Sequence, residues 1–158
     1  MDKKMIMSLF ETNHWVVTRQ VDGLTHEDSL LQLPFRGNCL NWVLGHILVS
    51  RQNALKLLGI DGSWTEAEMA RYKFDSAPIT SADDPAILTL ERLMSDIEMT
   101  QQQLMDGFEE ISEQQLAEKD ERERTVSERL LFLAWHEGYH VGQTEYLRQL
   151  SGKDDKII

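Results

Sequence analysis

The stretch from Thr125 to Leu150 narrows the possible folds more than any other part of the chain. Thr125 followed by Glu128 makes a capping box, in which hydroxyl and carboxylate satisfy two of the free N–H groups at a helix start. Gly152 offers a stop just past the last periodic leucine. Between these marks Leu133, His136, His140, Gln143, Leu147 and Leu150 recur at spacings of three and four, so they share one helical face. That face is apolar at both ends and polar in the middle. A polar patch inside an apolar stripe is costly unless something satisfies it. Two histidines one turn apart on a buried face can share one metal ion, which is one way to satisfy them.

Three more segments carry helical periodicity. Residues Lys3 to Val21 place Met5, Leu9, Val16 and Val17 on one face with Asn13, and Asp22-Gly23 ends the run. Thr25 caps a short turn to Leu31, and Pro34 forbids continuation. Asn38 is placed to cap a helix from Cys39 to Leu58, with His46 on its inner face between Val43 and Ser50. A third long helix is expected from Asp84-Pro85 to Met105, stopped by Asp106-Gly107, and Ser112 to Leu116 suits one more turn. The connection from Gly59 to Asp83 holds a second capping box, Ser63 to Glu66, and a short helix from Trp64 to Tyr72. A connection this long usually serves a function, so with Trp64, Tyr72 and Phe74 it is expected to wall a site. No segment alternates as a strand does. Four amphipathic helices of roughly 30 Å each predict an all-α four-helix bundle, one domain over residues 1–158, with short extra helices in its loops.

Charge and composition narrow the partners. The formal net charge of −11 argues against nucleic acid or an anionic membrane, both of which need a basic face. The single cysteine, Cys39, excludes an internal disulfide and points to a reducing compartment. The apolar run from Met5 to Phe10 is too short for a signal core or a membrane span, so the protein is read as cytoplasmic.

Of five histidines, His14 and His26 lie at a helix flank and in a turn and read as ordinary surface or capping groups. His46 alone would be a hydrogen-bonded core residue, but helix packing can bring it to His136 and His140. Three imidazoles would hold a divalent metal through one nitrogen each, at roughly 2.0–2.2 Å, and leave positions open for water or substrate. The second ring nitrogens then need acceptors, and Asn13, Gln143 and Glu137 are nearest in pattern. His136-Glu137-Gly138-Tyr139-His140 also fits the zinc-peptidase pattern, yet Tyr146 stands where a third histidine would follow, and few residues remain for a downstream glutamate. Glu137 is a candidate general base beside a metal-bound water, or else a polar residue at the edge of a helix interface. The acidic balance disfavours an anionic substrate unless local basic groups line the mouth of the site, for which Arg51 and Arg71 are the candidates.

Asn13-His14-Trp15, the run Asn41-Trp42-Val43-Leu44-Gly45-His46-Ile47, and His136-Glu137-Gly138-Tyr139-His140-Val141-Gly142-Gln143 through Leu147-Arg148 together resemble the DinB/YfiT-like metalloproteins. The resemblance spans nearly the whole chain. It implies a bundle of up-up-down-down topology, a divalent metal (zinc or nickel) on His46, His136 and His140, and a homodimer. Val141 stands where the family usually has a basic residue. Members whose reaction is known transfer or isomerise with a low-molecular-weight thiol. The implied function is a metalloenzyme, S-transferase-like or hydrolase-like, on a small molecule. The other readings are a non-catalytic bundle that binds a metal or small ligand, and a structural bundle with packed histidines.

Overall fold

Side-chain caps start six of the seven helices in the computed structural model, which describes residues 2–81 and 84–158. The long helices are α1 (Lys3–Val21), α3 (Leu40–Leu57), α5 (Leu90–Glu110) and α7 (Val126–Leu150). Short ones, α2 (His26–Ser29), α4 (Glu66–Tyr72) and α6 (Glu113–Leu116), lie between them. The described residues contain no strand, only an isolated bridge between Lys119 and Thr125, so the chain is all-α as expected. None of the helices is long and apolar enough to cross a membrane.

Several boundaries differ from expectation, each for a local reason. Helix α3 begins on Cys39 without a side-chain cap, rather than on Asn38. Helix α4 is capped by Thr65 with Glu68, rather than by Ser63 with Glu66. Asp84-Pro85 makes only a turn, its Asp84 carboxylate accepting the Ala86 N–H, and Thr89 is the cap that starts α5. Helix α5 also runs through Gly107. A Cβ there would come within 2.8 Å of Ile60, so this glycine admits a crossing segment rather than ending a helix.

Two apolar clusters form the core. Ile6, Phe10, Leu55, Leu104, Phe108 and Leu130 belong to one. Val17, Leu44, Ile47, Leu93, Ile97 and Val141 belong to the other. Fully burying a side chain of this kind contributes about 1.5–3 kcal/mol. Helices α1 and α7 start in the first cluster and end in the second, whereas α3 and α5 do the reverse. The helices therefore run up, down, down, up, where the resemblance implies up-up-down-down. The loops fix this order. Leu24 and Leu30 keep the α1–α3 connection at the second cluster, and Ile111 and Leu116 keep the α5–α7 connection at the first. Only the α3–α5 connection changes ends, from Leu58 and Ile60 up to Tyr72 and Ile79. Each long helix packs on two others, α1 and α3 both touching α5 and α7.

Where each long helix passes from one cluster to the other it carries a polar residue, and these are Asn13, Arg51, Thr100 and Glu137. All four are buried. The Arg51 guanidinium donates to both Glu137 oxygens at 2.9 and 2.7 Å and to the Ile97 carbonyl at 2.8 Å. Asn13 donates to the Ala134 carbonyl at 2.9 Å.

Candidate metal centre

His46 leaves α3 one turn before Arg51, and His136 and His140 flank Glu137 on α7, so the ion pair between Arg51 and Glu137 braces the two helices that carry the histidines. The face of α7 that enters the core is Leu130, Ala134, Glu137, Val141, Thr144 and Arg148. The histidine stripe is rotated from that face. It lies at the edge of the core, with His140 buried and His136 half-buried.

Gly45 explains how His46 is held. A Cβ at Gly45 would collide with the Tyr72 ring, so glycine lets the long connection press directly against α3. There the Tyr72 carbonyl accepts the His46 Nδ1–H at 2.8 Å. The Tyr72 hydroxyl donates to Asn41 Oδ1 at 3.0 Å and accepts the Leu88 N–H at 2.7 Å. Trp42 stacks on the His46 ring with centroids 4.7 Å apart, and its indole N–H donates to Ser76 at 2.9 Å. Asn41, Trp42, Gly45 and His46 thus act as one fastening for the connection and the ring.

The three rings converge. Their centroids lie 4.6–5.2 Å apart, and one nitrogen from each falls within 4.8 Å of the others. A carbonyl only accepts, so His46 carries its proton on Nδ1 and turns an unprotonated Nε2 inward. Gln143 Oε1 fixes His140 in the same tautomer, at 2.8 Å from its Nδ1. His136 Nδ1 meets the Ser50 hydroxyl at 3.2 Å, and a hydroxyl serves either tautomer. His136 Nε2 and His140 Nε2 face each other at 3.2 Å. Burial pushes all three imidazoles below the ordinary histidine pKa, His140 to about 4, so they are neutral at pH 7. Neutral imidazoles with every outer nitrogen held, the inner nitrogens of His46 and His140 unprotonated and His136 free to take the same tautomer, could together hold a metal ion, and the residues present fit one.

The centre opens on a cleft of about 690 Å³. Aromatic rings dominate its walls: Trp42, Phe74, Trp135, Tyr139 and Tyr146. Phe74 fulfils the expectation that the connection walls the site, although Trp64 packs behind Tyr72 instead, and Ala82 and Asp83 at its end lie outside the described residues. The loop before α3, with Leu33, Phe35, Arg36 and Asn38, forms a second wall that sequence reasoning missed. Arg36 is the basic residue at the mouth. Arg51 is fully buried on Glu137, and Arg71 pairs with Asp84 outside the cleft.

Other expected residues fall elsewhere. Glu137 is neither at a cleft wall nor at an interface edge. It sits in the core with both oxygens held by Arg51, and so is not placed to take a proton in the cleft. Of the three expected acceptors only Gln143 holds a ring; Tyr72 and Ser50 hold the others. Among the ordinary histidines, His26 accepts the Leu90 N–H at 3.2 Å and His14 lies 3.1 Å from Glu98.

The model of the DinB superfamily matches residues 11–144. The fold is also that of a crystal structure of a conserved protein from Enterococcus faecalis. Its TM-score is 0.73 at 18% identity, covering 97% of this chain and 99% of the other. No curated protein matches the sequence. The chain belongs to the DinB superfamily.

Proposed function

We propose that His46, His136 and His140 hold one divalent metal ion, zinc or nickel, and that the protein uses it to activate a thiol on a small molecule entering the aromatic cleft. The observation that carries this is the convergence of three neutral imidazoles whose outer nitrogens are already engaged by Tyr72, Ser50 and Gln143. A divalent ion bound there would deprotonate a coordinated thiol at neutral pH. The residues around it support thiol transfer over hydrolysis. Among the described residues the cleft presents no carboxylate, and Glu137 is committed to Arg51. A thiol bound to a metal needs no protein base, whereas hydrolysis commonly uses one. Trp42 and the Tyr72 carbonyl orient His46, and Gln143 orients His140.

Metal analysis of protein never exposed to chelator or nickel resin tests the binding step. About one equivalent per chain is expected, lost in His140→Ala with the helical spectrum unchanged. Transfer of a small thiol to an electrophile, dependent on that metal, tests the reaction. A loaded protein without such turnover would leave the non-catalytic binding reading in its place.

A further inference from the structure

We infer that the cleft takes a ligand with a flat apolar body and an anionic group, the body lying between the aromatic walls and the anion on Arg36. This rests on the metal-site reading only in placing the ligand's reactive end at the histidines. Three observations carry it. Among the described residues seven aromatic side chains are strongly exposed, and five of them, Phe35, Phe74, Trp135, Tyr139 and Tyr146, line this one cleft. Exposed apolar surface gathered in a concave site marks what the site binds. Next, most arginines are taken. Arg51, Arg71, Arg92, Arg124, Arg129 and Arg148 each pair with a carboxylate, whereas Arg19, Arg36 and Arg122 pair with none among the described residues, and of these three only Arg36 lines the cleft. Last, the chain carries a net charge of −11, yet among the described residues no Asp or Glu lines this cleft. Free anions are repelled by such a surface. An anion that is held must therefore be held locally, and Arg36 is the cationic side chain in place to do it, apart from any metal ion at the histidines. The apolar rings favour a body that stacks, and the guanidinium favours a planar carboxylate or a sulfonate.

The test uses 2-naphthoate, 2-naphthamide and acetate with zinc-loaded protein, followed by isothermal titration. Naphthoate should bind about tenfold more tightly than naphthamide, in line with one charge-assisted contact, and acetate should not bind measurably. Arg36→Gln, at an exposed position, should bring naphthoate down to the naphthamide level and leave naphthamide unchanged. Phe74→Ser should weaken both aromatic probes. Equal binding of the two in the wild type, an unchanged naphthoate affinity in Arg36→Gln, or no binding of either would overturn the inference. So would sedimentation showing that a second copy of the chain seals the cleft, with Trp135→Ala both breaking that dimer and opening the cleft to naphthoate. Zinc content is measured on the same samples. If the chain holds no zinc, the metal reading fails while the naphthoate series still decides this one.

Discussion

Helices α3 and α7 hold two polar groups side by side, and the two are built on opposite terms. Arg51 and Glu137 close on each other. Both side chains are fully buried, each carboxylate oxygen meets a guanidinium N–H, and another N–H reaches the Ile97 carbonyl. The histidines beside them close only on their outer sides, where Tyr72, Ser50 and Gln143 take the Nδ1 atoms, while the Nε2 atoms converge on a cleft. A polar network that satisfies itself stiffens and registers a core. One that satisfies itself on one side only and opens to solvent on the other holds binding capacity in reserve. The first group belongs to the fold and the second is the one proposed to hold a metal, although both appear in sequence as polar residues within apolar helices.

Breaking the closed group should have the largest effect. Arg51→Met strands a buried carboxylate and should cost about 3–5 kcal/mol in urea unfolding, most of it restored in Arg51→Met with Glu137→Leu. A loss near that of a surface substitution would mean the layer is not closed. Gly45→Ala couples the regions, since it drives the Tyr72 ring off α3 and with it the acceptor of His46. It should cost about 1–3 kcal/mol and also weaken zinc binding; normal zinc affinity in a destabilised protein would detach the connection from the centre.

Acidification should act on the open group. In the metal-free protein His140 titrates near 4, and His46 and His136 also lie below the ordinary range, chiefly through burial. Between the unfolded histidine value of about 6.5 and pH 4, the unfolded chain takes up protons that the folded chain refuses. Stability should therefore be greatest above that window and fall as pH drops through it, and His140→Ala should reduce the slope. A slope unchanged in that variant would place the titration elsewhere. The smallest effect is His140→Ala on metal-free stability at pH 7. A neutral ring at the edge of the core, with no buried charge to strand, should cost within about 1 kcal/mol, against the several expected at Arg51.

Much of this division was legible in sequence. The three histidines could be found because helical spacing sets His136 and His140 on one face and because His46 interrupts an apolar face. Gln143, one turn on from His140, followed from the same periodicity. Ser50 stood one turn from His46, but a serine in a helix carries no signal of its role. The Tyr72 carbonyl is backbone from a distant segment, for which no residue type exists to read. Glu137 was misplaced because α7 has two adjacent apolar stripes, and the histidine stripe passed for the core face when the core follows Leu130, Ala134 and Val141. Helix direction came from the resemblance alone, and periodicity had no means of correcting it. Periodicity locates a helix, but which end it starts from depends on where connections such as Leu24–Leu30 pack.

X-ray absorption at the zinc edge, on protein loaded with one equivalent, tests most directly whether the open group is a metal centre. Multiple scattering from three imidazoles is predicted in the wild type, falling to two in His46→Ala. A spectrum of oxygen ligands without imidazole scattering, or one unchanged in His46→Ala, would contradict the account.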